Sequence, residues 1–230
     1  MKRRRFLNRS LLLFPTIAFP GIVFSNSSQN LPNVLILGDS ISIGYTPFVK
    51  ELLKSKANVF RPMLDNEKAE NCSGTTKGVK SIDRWIGDTK WDVIHFNFGL
   101  HDIKHVHPVT GVNSNNPEHP HQANLKQYKK NLKKIVEKLK ATKAKLIFAT
   151  TTPYPENVGG PLRKPGMPEK HNKAAIKIMN LNEITINHLY SFMIPRIAEL
   201  QLPNNVHFTP EGYKALAEKV SDRINEALDN

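Results

Sequence analysis

The sequence predicts an α/β protein, a three-layer α/β/α sandwich around a five-stranded, mainly parallel sheet. Three observations lead there. Short apolar runs recur along the 230 residues, and stretches with apolar residues at helical spacing separate them. Strands joined through helices run parallel, because a parallel pair needs a crossover rather than a tight hairpin. Glycines and polar residues also gather just after the apolar runs, at the C-terminal strand ends where such sheets keep their functional loops.

Asn33 to Leu37 (NVLIL) is a short apolar run ending at Gly38, which suits a buried parallel strand. Phe48, Val49, Leu52 and Leu53 follow at helical spacing, and Asn58 to Arg61 reads as a weak second strand. Val79, Ile82, Trp85 and Ile86 mark the next helix, and Asp92 to Phe98 (DVIHFNF) the third strand. Leu125, Tyr128, Leu132, Ile135 and Leu139 step by three and four, an amphipathic helix. Lys145 to Ala149 (KLIFA) is the fourth strand. Ala174, Ile178 and Leu181 indicate another helix, and Glu183 to Asn187 (EITIN) the fifth strand. Thr209-Pro210-Glu211 opens the last helix: Thr caps, Pro fits the first turn, and Glu meets the positive end of the dipole. Leu216, Val220, Ile224 and Leu228 form its apolar stripe.

The first 25 residues stand apart. MKRRRFLNRSLLLFPTIAFPGIVFS has a basic start, an apolar middle broken by Pro15 and Pro20, and small residues near its end. This is the pattern of a signal peptide, with cleavage expected after Ser25. Arg3-Arg4-Arg5-Phe6-Leu7 also fits a twin-arginine signal, so either export route gives a periplasmic or extracellular protein. The apolar middle is too short for a comfortable span of ~20 residues, so no stable membrane insertion is expected after cleavage. Residues 26–32 read as a linker and 33–230 as a single domain.

The formal charge is +13, and loss of Lys2, Arg3, Arg4, Arg5 and Arg9 lowers it by five. Many remaining lysines lie between Lys126 and Lys145, where a solvated helix face accounts for them. A basic protein also draws acidic substrates or surfaces by long-range attraction. Aromatic interleaving and nucleic-acid motifs are lacking, which argues against a nucleic-acid partner. Cys72 is the single cysteine, so no intrachain disulfide forms, and no Lys or His within two residues activates its thiol.

The loops after the strands carry the chemistry. Gly38, Asp39 and Ser40 follow the first strand, and Asn71-Cys72-Ser73-Gly74 the second. Gly99, Leu100, His101 and Asp102 follow the third, Thr150, Thr151, Thr152 and Pro153 the fourth, and His207 precedes the last helix. In this order the residues resemble the SGNH hydrolase family, the GDSL-type esterases and lipases. GDSIS matches the first block, the Gly of NCSG the second, and VHFTPEGY the last. The resemblance spans Asn33 to Leu228 and implies a flavodoxin-like sheet. There is no G-x-S-x-G elbow, which separates the chain from α/β-hydrolases.

The resemblance implies Ser40 as nucleophile and His207 as base, with oxyanion donors from the Ser40 N–H, the Gly74 N–H and the third block. Serine needs an adjacent base to become nucleophilic, and a helix N-terminus favours the charge that develops. The chain departs from the family twice. The third block reads G-L-H-D rather than G-x-N-D, so His101 stands in the oxyanion position, where an imidazole N–H can also donate. Three residues before His207, where the family has Asp, stands Asn204, followed by Asn205. The expected site is therefore a Ser40–His207 dyad, with His207 oriented by Asn204 or by a backbone carbonyl. Asp39 and Asp102 are expected to hold loops by hydrogen bonds.

His101, His105, His107, His119 and His121 fall close together, but no Cys or Glu completes a metal pattern, so a loop rimming the site is expected and no metal or other cofactor. This loop and the Pro- and Gly-rich Tyr154 to Lys170 are expected to shape specificity. The overall expectation is an exported serine esterase acting on a small-molecule or carbohydrate ester, most plausibly removing acetyl groups. Acyl transfer between glycans, or a catalytically silent glycan- or lipid-binding relative, remain the alternatives, and the oligomeric state is open.

Overall fold

The computed structural model describes residues 31–230. The expected signal peptide at 1–25 and residues 26–30 of the expected linker at 26–32 lie outside the described residues. Five strands, β1 (Asn33–Leu37), β2 (Asn58–Phe60), β3 (Val93–Phe96), β4 (Lys145–Ala149) and β5 (Thr185–Asn187), form one sheet in the order β2-β1-β3-β4-β5, and every pair is parallel. The helices are α1 (Ser40–Leu52), α2 (Thr75–Ile86), α3 (Leu125–Ala141), α4 (Met167–Asn180), the short α5 (Leu189–Met193) and α6 (Ile197–Leu200), and α7 (Pro210–Asp229). A 3₁₀ turn at Ile194–Arg196 joins α5 to α6.

Alternation along β1 divides the core. Val34 and Ile36 face α1 and α7, packing with Val49, Leu216, Val220 and Ile224. Leu35 and Leu37 face the other side and pack with Ile82, Leu132, Ile135 and Ile178 of α2, α3 and α4. All four β1 side chains are at most 1% exposed. Burying each such aliphatic side chain contributes roughly 1.5–3 kcal/mol, so the centre of the sheet anchors the fold. The switch in strand order falls between β1 and β3, and Ser40 starts the helix that leaves β1 at that point.

The expected strands are all present; β1 and β4 have the expected bounds, and β2, β3 and β5 are shorter. Asn97 and Phe98 lie beyond β3, although the Asn97 N–H still donates to Leu37 O at 3.0 Å. Arg61 leaves β2 and turns inward, giving its guanidinium to Thr46 Oγ1 at 3.0 Å and Glu70 O at 3.0 Å. Glu183 adopts φ +58, which places it in the turn before β5 rather than in the strand. The long loop from Tyr154 ends sooner than Lys170: Gly166 takes φ +73, Pro168 fits the first turn, and α4 starts at Met167. Sequence periodicity gave no sign of α5 or α6, since helices of four or five residues are too short to show an apolar stripe. Among the described residues no helix is long and apolar enough to cross a membrane.

Candidate active site

Asp39 takes extended backbone geometry and caps α1, its Oδ1 accepting the Ile41 N–H at 2.9 Å. The cap turns the chain sharply and leaves Ser40 as the first residue of the helix. The fit is close: a Cβ on Gly38 would lie 2.9 Å from Ser42 Oγ. Burial pushes the Asp39 carboxyl up to about 6, against the opposing pull of the Ile41 N–H and of Arg163 and Arg61.

His207 reaches Ser40 across 167 residues of sequence. Its Nε2 lies 2.9 Å from Ser40 Oγ, and its Nδ1 lies 2.8 Å from Asn205 Oδ1. The same Oδ1 accepts the backbone N–H of His207 at 3.1 Å. A backbone N–H can only donate, so the atom it meets is the amide oxygen, and Nδ1 must carry the proton. Nε2 then presents its lone pair to the serine hydroxyl, the tautomer a general base requires. Burial, and then the Arg163 charge, hold the imidazole below the usual histidine range, so it is neutral at pH 7.

The residue on Nδ1 is thus Asn205 and not Asn204, which corrects the expectation from family spacing. Asn204 sits at φ +53 and shapes the turn, its carbonyl accepting the Gly159 N–H at 2.7 Å. That turn points the next side chain, not its own, at the histidine. Leu202 N–H to His207 O at 3.0 Å and Asn205 N–H to Leu202 O at 3.2 Å close the loop. An Asn whose oxygen accepts the N–H two residues on is an Asx turn, so the N-x-H spacing was a usable signal.

The side expected to hold the oxyanion is assembled by Asp102. Its carboxylate caps α2, accepting the Thr75 N–H at 2.9 and 3.0 Å and the Thr75 hydroxyl at 2.5 Å. This fastens the loop after β3 to Gly74, where a Cβ would lie 2.9 Å from Asp102 Oδ2. Burial pushes the Asp102 carboxyl up to about 7 although the Thr75 hydrogen bonds pull it down. The Cys72 N–H donates to Gly38 O at 3.1 Å, which ties the Gly74 loop to the nucleophile loop. Cys72 itself is buried, and burial raises its thiol to about 11, an inert group. Among the described residues the N–H groups of Ser40 and Gly74 have no acceptor.

His101 follows on the same loop. Burial first, then the charges of Lys104, Arg163, Lys77 and His207, push its imidazole down to about 3. It is neutral, carries one N–H, and makes no hydrogen bond among the described residues. That leaves the N–H available for a ligand oxygen.

The other loop histidines act as staples. Nδ1 of His105 donates to His119 O at 2.6 Å and Nδ1 of His121 to Ile103 O at 2.9 Å. His107 Nδ1 accepts the Val109 and Thr110 N–H groups, both at 3.3 Å. Their rings meet in pairs, His105 with His121 and His107 with His119, at 4.4 and 5.0 Å between centroids. Among the described residues no group of three or more His, Cys, Asp or Glu is placed to hold a metal ion. Arg163, which sequence reasoning passed over, is 8% exposed and donates through Nε to Leu100 O at 3.3 Å. It lay inside a stretch read only as loop, and nothing in its neighbours marks it out.

Known proteins share the family pattern and the fold. The family model for the GDSL-like lipase/acylhydrolase family matches residues 36–215. No curated protein matches the chain. Among solved structures, it is similar to the lipase/acylhydrolase from Enterococcus faecalis, with a TM-score of 0.66 and 17% identity over 85% of this chain and 96% of that one. An acetyl xylan esterase, AlAXEase, superposes with a TM-score of 0.66 at 14% identity, covering 84% of this chain and 99% of that one. The psychrotrophic esterase EstA from Pseudoalteromonas, in a structure inhibited by monoethylphosphonate, gives 0.61 at 13% identity over 86% and 99%. At these identities the likeness is one of fold.

Proposed function

The chain belongs to the GDSL-like lipase/acylhydrolase family of ester hydrolases, and from that premise we propose an exported serine esterase that removes acetyl groups from a carbohydrate through an acyl-enzyme on Ser40. One observation carries the mechanism: Ser40 Oγ, His207 Nε2, His207 Nδ1 and Asn205 Oδ1 form an unbroken hydrogen-bonded line. As Oγ attacks the ester carbonyl, its proton passes to Nε2 and a C–O bond forms. The carbonyl oxygen becomes an oxyanion, for which the Ser40 N–H, the Gly74 N–H and the His101 imidazole are the donors at hand. Collapse breaks the bond to the alcohol, which leaves with the proton from Nε2. Water then attacks the acyl-enzyme by the same steps, restoring the serine. Throughout, Nδ1 keeps its proton and donates it to Asn205 Oδ1, which offers a neutral dipole rather than a charge to the imidazolium.

Two features support the acetyl-carbohydrate and export parts. AlAXEase shares the fold, and the first 25 residues have the charge and apolar pattern of an export signal. The test is hydrolysis of a short-chain aryl ester and of acetylated oligosaccharides by wild type and Ser40→Ala. The variant should lose at least ~10⁴-fold in kcat, and a fluorophosphonate should label Ser40 in the wild type. Equal turnover by both proteins would end the nucleophile assignment. A sugar acceptor that collects the acetyl group would turn the reading from hydrolysis to transfer. N-terminal sequencing of the secreted protein should begin at Asn26.

A further inference from the structure

Among the described residues, two cations stand beside this site without an ion pair. Arg163 is buried, yet it enters no ion pair among the described residues. Nε and Nη1 of its guanidinium donate to the carbonyls of Leu100 and Pro161 at 3.3 and 3.4 Å. Nη2 has no acceptor among the described residues, and it is not one of the sealed unpartnered atoms of the interior. The guanidinium therefore spends one edge on loop carbonyls and keeps the other open. Lys104 is half-buried and likewise has no ion pair, and its ammonium donates no hydrogen bond among the described residues. Withdrawing a cation from water is costly unless a partner replaces the hydration.

Loop connections place both cations at the reacting groups. Leu100, which receives Nε, is the residue before His101, and Lys104 follows on the same segment. The Arg163 loop is bonded on both sides: His105 N–H donates to Leu162 O at 2.9 Å, and Gly159 N–H to the carbonyl of Asn204, next to the residue that orients His207. The charge of Asp39 is felt at Arg163 and that of Asp102 at Lys104, but neither carboxyl forms an ion pair with them: Asp39 caps α1 through Oδ1 and Asp102 caps α2. The field of Arg163 is nonetheless felt at both His101 and His207, where it disfavours the imidazolium.

We propose that Arg163 and Lys104 form an anion subsite beside Ser40, and that the natural ester carries a carboxylate within a few atoms of the scissile bond. The planar fork of Arg163 suits a carboxylate, and Lys104 adds an unpaired point charge. A carboxylate on the alcohol side, as in a uronic-acid sugar, and one on the acyl side are both within this chemistry. The proposal rests on the esterase reading above and narrows its substrate.

The test uses two matched pairs with the full-length enzyme. One pair is O-acetylated methyl glucuronide against O-acetylated methyl glucoside. The other is the 4-nitrophenyl hemiester of glutarate against 4-nitrophenyl butyrate. At low salt the anionic member of one pair should have a kcat/KM roughly ten- to hundredfold above its neutral partner, and added NaCl should shrink the gap. The pair that shows it tells which side of the ester bears the charge. Arg163→Met and Lys104→Met should each remove most of the preference, lowering the anionic ester more than the neutral one. If Arg163→Met fails to fold, Lys104→Met and the salt titration read the same quantity. Equal turnover within both pairs, or equal losses for both members in the variants, would overturn the subsite and leave Arg163 a loop staple. Inactivity towards all four esters would overturn the esterase reading instead. Calorimetry of Ser40→Ala with methyl glucuronide and methyl glucoside then measures the subsite without turnover, where equal binding sinks it.

Discussion

Two kinds of side-chain anchor hold this site, and they differ in charge. On the side of the proposed nucleophile and oxyanion donors the anchors are carboxyl groups, Asp39 capping α1 and Asp102 capping α2. On the base side the anchor is a neutral carboxamide, Asn205, on His207 Nδ1. The carboxyl groups meet backbone N–H groups at helix N-termini, where a negative charge is rewarded. The carboxamide meets an imidazole that, in the proposed reaction, becomes positive only as it takes the serine proton. It selects the tautomer but gives the imidazolium little electrostatic support. Geometry and charge stabilisation, combined in one aspartate in the Ser-His-Asp template, are here separated.

Removing the neutral anchor is the strongest way to break that comparison. Asn205→Leu should release the imidazole to the wrong tautomer and lower kcat by ~10²–10⁴, read in steady-state kinetics with circular dichroism confirming the fold. A loss under threefold would mean that packing alone orients His207. Next in size, His101→Ala should lower kcat by ~10²–10³ with KM little changed. His101→Asn, with another N–H donor, should recover part of it. An unaltered kcat in His101→Ala removes the imidazole from the oxyanion donors.

A gentler probe sharpens the comparison by restoring charge. The base works only when neutral, and burial with the Arg163 charge keeps the His207 pKa below the usual range. Asn205→Asp would place an anion on Nδ1–H, favour the imidazolium and raise that pKa. The acidic limb of the kcat/KM profile should therefore move to higher pH, and an unmoved limb would show that residue 205 does not face the charge. Smallest of all, Asn204→Gly should keep activity within about twofold, since glycine takes φ +53 freely. A loss as large as that of Asn205→Leu would return Asn204 to the base.

The same division separates what the sequence made legible from what it hid. The strands were readable because burial on both faces makes them continuous apolar runs, as in NVLIL and KLIFA. The α7 start was readable because Thr209, Pro210 and Glu211 act locally, and Thr209 Oγ1 does accept the Gly212 N–H at 3.1 Å. Ser40, Gly74 and His207 were visible as a family pattern in order, and the structure brings Ser40 and His207 to 2.9 Å. Asn205 was missed because a one-residue change in turn geometry alters which side chain faces the ring. Arg163 was missed because its place depends on carbonyls distant in sequence, at Leu100 above all. Local capping and apolar periodicity survive in one dimension, whereas a cation held by loop carbonyls does not.

The stitching of the loops has a consequence for redesign. Leu162 O takes the His105 N–H, the Leu162 N–H goes to Ser114 O, and the Gly159 N–H goes to Asn204 O. Three loops well separated along the chain thus form one collar. A collar of this kind cannot be exchanged segment by segment. A graft that alters the Pro- and Gly-rich loop also loosens the backbone beneath His207, to which Gly159 N–H is tied through Asn204 O. Retargeting this enzyme therefore calls for moving the three segments together, or for changing side chains on an intact collar.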